Sequence, residues 1–227
     1  MRVLAIDTAL EACSVAALDT EHVVMSAHES LPKLRGHAEA LMPMIARVMD
    51  RAGLDFAALD RIAVTTGPGS FTGLRVGLAA ARGIALATGK PAIGLSTLAA
   101  YAAPLIAADG TLPVVAAIDA RHDHVYVQVF GPGGRTIVPA RLASIREALR
   151  AAAMGAPRLV GTAAAMLAAA WPIGERAPSL VDNRRAPDID WVARLGAAAV
   201  ETGAPPKPLY LRAPDAQPQK AAQLARQ

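Results

Sequence analysis

The sequence predicts an α/β protein built as two similar lobes, each a mixed β-sheet with helices laid on its faces. Three observations predict it. The first hundred residues alternate short apolar runs and helical repeats in the order βββαβαβ. An Asp closes an apolar strand twice, in VLAIDT (residues 3–8) and again in VVAAIDA (residues 114–120), and each time a second strand follows, alternating in HVYVQVFG. The chain of 227 residues is 53% hydrophobic and 19% charged, enough to fill one large core or two small ones.

Residues 2–7, 13–18 and 22–28 are rich in Val, Ala, Ile and Leu and are separated by turn-like DTALEA and DTEH, so they read as an antiparallel meander. In residues 36–52, Ala38, Leu41, Ile45, Val48 and Met49 fall at helical spacing and Gly53 stops the helix. A strand at 61–66 leads into GPGSFTG, then a helix to Gly89 and a strand at 91–95. The second half repeats the theme in shorter form: strands at 113–120, 124–131 and 135–143, a helix at 144–153, a strand at 157–161, and helices at 161–171 and 189–202. A meander followed by βαβ units is the ribonuclease-H-like arrangement. The lobes are drawn at 1–109 and 110–213, with a flexible Pro- and Gln-rich tail at 214–227.

Charge and cysteine narrow the function classes. Positions 1–109 hold nine Lys and Arg against ten Asp and Glu, whereas 205–227 hold four against one, so the net +4 is mostly a tail. Such a tail can touch an acidic partner but does not define a nucleic-acid site. The single Cys13 excludes an internal disulfide and fits a buried thiol. The first residues resemble a strand more than a signal peptide, and no uninterrupted apolar run approaches a membrane span, so the expected setting is the cytoplasm, without membrane contact.

The glycine segment carries the main question. A Gly-rich turn at a helix N-terminus is a natural anion site, yet G-P-G-S-F-T-G matches neither the Walker spacing nor G-x-G-x-x-G. If the helix is capped by Thr72, then Gly73, Gly77, Ala81, Ala85 and Gly89 recur every four residues and form a nearly bare face. That face either packs on the protein's own sheet or admits a helix of another chain. Asp7, Thr8 and Asp119, at the ends of the two Asp-closed strands, are the candidate nucleotide-binding residues, although Ala9 and Ala120 stand where glycine would admit phosphate. His122 and His124, alternating across RHDHVYV, read as a solvated strand end.

VLAIDT, RGHAEALMPMI, VTTGPGSFTGLRVGLAAARGIALATGKPAIGLSTL and PLYLR together resemble the TsaB (YeaZ) family over nearly the whole chain. The resemblance implies a fold of the actin, sugar kinase and Hsp70 type. It also implies a noncatalytic, cytoplasmic subunit without a cofactor, which partners a TsaD-type catalytic subunit in making threonylcarbamoyladenosine in tRNA. A TsaE-type ATPase in the same complex, a homodimer through the same surface and tRNA contact only through the complex are further implications. In the catalytic relatives two imidazoles four residues apart on a helix hold a metal; Thr97 and Tyr101 take those places here. On this reading the partner interface comprises Leu41, Met44 and Ile45 of one helix with Gly73, Gly77 and Ala81 of the other, and there are no catalytic or metal-ligating residues. The competing readings are a metallopeptidase and a phosphotransferase acting alone, for which HExxH and phosphate-loop glycines are missing. Direct tRNA binding through the tail with Arg121, Arg135 and Arg141 is a third.

Overall fold

The computed structural model describes residues 1–22, 27–32, 36–153, 155–201 and 203–212. Two five-stranded sheets have the same plan. In the first, β1 (Arg2–Asp7) lies between β2 (Ala12–Asp19), antiparallel to it, and β4 (Arg61–Gly67), parallel to it; β3 (Ala27–Pro32) and β5 (Ala92–Ser96) form the edges. In the second, β6 (Val114–Asp119) takes the place of β1, flanked by antiparallel β7 (His124–Phe130) and parallel β9 (Arg158–Val160), with β8 (Thr136–Ser144) and β10 (Leu180–Asp182) outside. The repeated order is the two-lobed ribonuclease-H-like plan. The expected strand at 22–28 meets β3 only at its end, and residues 23–26 lie outside the described residues.

Helices cover both faces of the first sheet. Leu4, Ile6, Val15 and Val64 meet α1 (His37–Ala52) and α2 (Phe71–Thr88) on one side. On the other, Val3, Ala5 and Ala63 meet α6 (Ile189–Ala198) through Ile189, Val192 and Ala193. A strand buried on both faces shows no polar alternation, which is why β1 and β2 read as continuous apolar runs. The second sheet packs α4 (Ile145–Ala152) and α5 (Ala164–Ala169) on one face. Its other face takes α3 (Thr97–Ala108), through Leu98, Tyr101 and Ala102.

This exchange revises the lobe boundaries. A division at 109/110 separates the sheets but not their helices, because α3 covers the second sheet and α6 returns to the first. Arg61 on β4 fixes that return: its guanidinium donates to the carbonyls of Gly196 and Ala199 at 3.0 and 2.8 Å, satisfying the free C-terminal acceptors of α6. A Cβ at Gly196 would strike Ala63, so the helix lies close on the sheet. Arg158, nearly buried, ties the end of α3 to β9 by donating to the carbonyls of Leu105, Asp109 and Leu112.

Helix α2 begins two residues earlier than the Thr72 cap predicts. Ser70 is the cap, its Oγ accepting from the Gly73 amide at 3.3 Å, and Gly89 closes the helix in the left-handed conformation. Two elements went unpredicted. The apolar α3 is covered along most of its length and has no polar stripe to betray its period. Strand β10 is three residues long. Among the described residues no helix is long and apolar enough to cross a membrane. The tail at 214–227 lies outside the described residues.

Candidate functional site

The glycine segment is packed inside its own lobe. A Cβ at Gly73 would collide with the Thr8 carbonyl oxygen, and one at Gly77 would stand 2.5 Å from Thr8 Oγ1. The glycines let α2 settle on the turn that follows β1. Thr8 Oγ1 then donates to the Gly73 carbonyl at 2.7 Å, and the Ser70 amide donates to the Ala9 carbonyl at 2.7 Å. Gly73, Gly77 and Ala81 are therefore core, as are Leu41, Met44 and Ile45 of α1, none of the four side chains among these being more than 1% exposed. The six residues expected to face a partner are corrected to an intramolecular seam, since helical spacing gives a face but not its direction.

The candidate nucleotide residues do not share an open site. Asp7 is fully buried; its Oδ1 accepts from Thr65 Oγ1 at 2.5 Å and from the Ala9 amide at 3.1 Å, while Oδ2 has no partner. Burial pushes its pKa up, against the hydrogen bonds from Thr65 and Ala9 and the charge of His37. Thr8 is sealed beside it. Asp119 instead lines an open cleft of about 660 Å³ between the lobes, accepting from the Arg121 amide at 2.7 Å. The turn that would cradle phosphate in the first lobe is thus filled by α2. The cleft above it is lined by Arg121, Arg185, Arg212, Glu11 and Asp119.

Thr97 and Tyr101 are fully buried. The Tyr101 hydroxyl donates to the Arg184 carbonyl at 3.3 Å, and burial, aided by the charge of Asp7, drives its pKa upward. Thr97 Oγ1 has no partner. Among the described residues no three His, Cys, Asp or Glu side chains stand close enough to share a metal. His122 and His124 do not share a strand: Arg121, His122 and Asp123 form a left-handed turn (φ 64°, 52° and 57°), and β7 begins at His124. Arg135 and Arg141 lie at and along β8, away from the cleft lining.

The sides of α1 and α2 turned away from the sheet form a second candidate surface. On α1 the strip Ala38, Met42, Ala46 is exposed, Met42 by 51%. On α2 the strip is Ala79, Gly83 and Leu86, the last 87% exposed. Each helix directs arginines away from it. Arg47 and Arg51 pair with Glu29 on β3 at 2.5 and 2.8 Å. Arg75 and Arg82 reach the C-terminal segment, donating to the Tyr210 hydroxyl and to the Pro206 carbonyl. That segment crosses both lobes: Leu209 N–H donates to Thr66 O at 2.8 Å and Arg212 to Ala120 O at 3.1 Å. The tie was not foreseen; the arginines at α2's polar positions and the Pro-flanked PLYLR were its only sequence signals.

Topology and lobe exchange together define a protein of the actin, sugar kinase and Hsp70 type. The family model described as "TsaD: tRNA N6-adenosine threonylcarbamoyltransferase" matches residues 31–173. TsaB of Escherichia coli is 43% identical over 126 residues, and the alignment covers 56% of this chain and 53% of that protein. An uncharacterized protein of Mycobacterium tuberculosis is 36% identical over 220 residues, 95% and 94% of the two chains. The solved structure of YeaZ from Pseudomonas aeruginosa superposes with a TM-score of 0.77 at 29% identity, covering 92% of this chain and 99% of that one. The chain belongs to the TsaB/YeaZ family, and it spans about half the length of the TsaB proteins it matches.

Proposed function

We propose that this chain is a noncatalytic subunit in the formation of N6-threonylcarbamoyladenosine in tRNA, and that it binds a TsaD-type catalytic subunit through the outer strip of α1 and α2. One observation carries the reading: two adjacent helices leave Met42, Ala46, Ala79, Gly83 and Leu86 in water while their arginines are engaged elsewhere. An exposed strip with small residues at its centre, bordered on α1 by the exposed Glu39 and Asp50, suits close helix-on-helix packing. An interface of ordinary size buries about 1,600 Å², which two helices of 16 and 18 residues can supply. A related lobe on the partner presents a related surface, so the same strip accommodates a second copy of this chain when the catalytic subunit is missing. A TsaE-type ATPase joins the same assembly in this reading.

The noncatalytic half of the proposal is supported by the buried places of Thr97 and Tyr101 and by the filled turn at Asp7 and Thr8. The test is co-purification with the TsaD-type subunit of the same organism. Gly83→Arg adds a long cation where a Cβ meets no atom within 4 Å, so the fold tolerates it while docking does not. The expected result is loss of the complex with an unchanged or raised melting temperature. A complex that survives Gly83→Arg and Met42→Glu together refutes the assigned surface, and threonylcarbamoyl transfer by the lone chain refutes the noncatalytic role.

A further inference from the structure

The chain has only three Phe and three Tyr, yet Phe71 and Tyr210 lie against each other with 46% and 42% of their surfaces exposed. Their ring centroids are 5.4 Å apart and inclined by 30°. The Arg75 guanidinium sits 3.6 Å above the Phe71 ring, and its Nε donates to the Tyr210 hydroxyl at 3.3 Å. The result is a fixed platform of two rings and one planar cation. It lies at the rim of the interlobe cleft, because Gly69 and Ser70, just before Phe71, and Arg212, two residues after Tyr210, all line that cleft. Arg121 and Arg185 stand in the same lining. Both acids there are engaged, Asp119 by the Arg121 amide and Glu11 by Arg185 at 3.6 Å.

We propose that this aromatic rim and the arginines of the cleft form a contact site for single-stranded RNA, with a base stacked on the Phe71, Arg75 and Tyr210 platform and neighbouring phosphates held by Arg121 and by the exposed Arg185, which exchanges its 3.6 Å pair with Glu11 for phosphate. Stacking on exposed rings beside a cationic groove is how single strands are gripped without sequence readout. A duplex hides its base faces and cannot use the platform. The mode differs from phosphate cradling by the turn after β1, which α2 has filled. The proposal rests on the reading above in that RNA is the object of the assembly, and it adds a direct contact by this subunit.

The experiment is fluorescence anisotropy of the full chain with a labelled single-stranded RNA octamer at several salt concentrations. Phe71→Ala and Tyr210→Ala are each expected to weaken binding roughly five- to a hundredfold, while Tyr210→Phe, which keeps the ring, binds within about twofold of the parent. Arg121→Gln and Arg185→Gln each reduce the slope of log affinity against log salt by about one. No octamer binding by the parent chain, or unchanged binding in both ring variants, overturns the proposal. So does equal affinity for a duplex of the same sequence, for polyglutamate, or for AMP alone, which would mark a polyanion surface or a mononucleotide pocket. Gly83→Arg separates the two readings: it is expected to abolish docking of the catalytic subunit and leave octamer affinity unchanged, and Phe71→Ala does the reverse.

Discussion

Replacing Gly77 by Ala tests the packing of α2 most directly. The new methyl lies 2.5 Å from Thr8 Oγ1 and 3.6 Å from Ile6 Cγ2 and Val64 Cγ2. The apolar neighbours are at ordinary contact, so the hydroxyl is the obstacle. To clear it Thr8 must rotate and give up its 2.7 Å bond to the Gly73 carbonyl, or α2 must lift from the sheet. Leaving the buried Thr8 hydroxyl without its acceptor costs about 1–3 kcal/mol, the Gly73 carbonyl keeping its intrahelical bond, and overpacking adds about 1–3 kcal/mol. Better helix propensity returns about 1 kcal/mol. The net loss is about 1–5 kcal/mol, or roughly 2–20 °C in melting temperature for a chain of this size. Gly83→Ala, six residues on, has no atom within 4 Å of the new Cβ and keeps only the propensity gain, about +1 to +4 °C. Thermal melts followed by circular dichroism at 222 nm read both. Opposite signs are the expected outcome; a Gly77→Ala protein as stable as the parent would refute the seam between α2 and the turn after β1.

Further perturbations address charge and the lobe exchange. Because burial raises the Asp7 pKa above its unfolded value, the native state binds more protons, and the stability tied to this carboxyl is greatest below the unfolded pKa and declines as pH rises through the folded one. Asp7→Asn removes that term, so in urea titrations its advantage over the parent should grow from pH 4 to pH 7; a parent that gains on the variant over this range contradicts the assignment. Arg158→Ala removes three charge-assisted hydrogen bonds, leaving the Asp109 and Leu112 carbonyls without the guanidinium while Leu105 O keeps the Asp109 amide, and should cost about 3 kcal/mol or more. Arg158→Lys, lacking the planar fork, should recover less than half of it in the same titration. Arg61→Ala uncovers the last carbonyls of α6 and should cost about 1–2 kcal/mol. Hydrogen exchange should then quicken in 189–198 ahead of α4, and equal acceleration in both helices would argue against α6 belonging to the first sheet.

The sequence alone determined the elements whose signals are local. The duplicated Asp-closed strands gave the two sheets, and Leu41, Ile45, Val48 and Met49 gave the period of α1, because one buried face imposes its spacing directly on the chain. Tertiary structure decided where each face points. Gly73, Gly77 and Ala81 mark a bare stripe in any α2, but only the approach of Thr8 shows that the stripe is spent inside the lobe, leaving Met42, Gly83 and Leu86 to the solvent. The return of α6 to the first sheet, and the meeting of Phe71 with Tyr210, depend on residues 90 or more positions apart. Contacts at that separation leave no period in the sequence, so they become visible only when the chain has closed on itself.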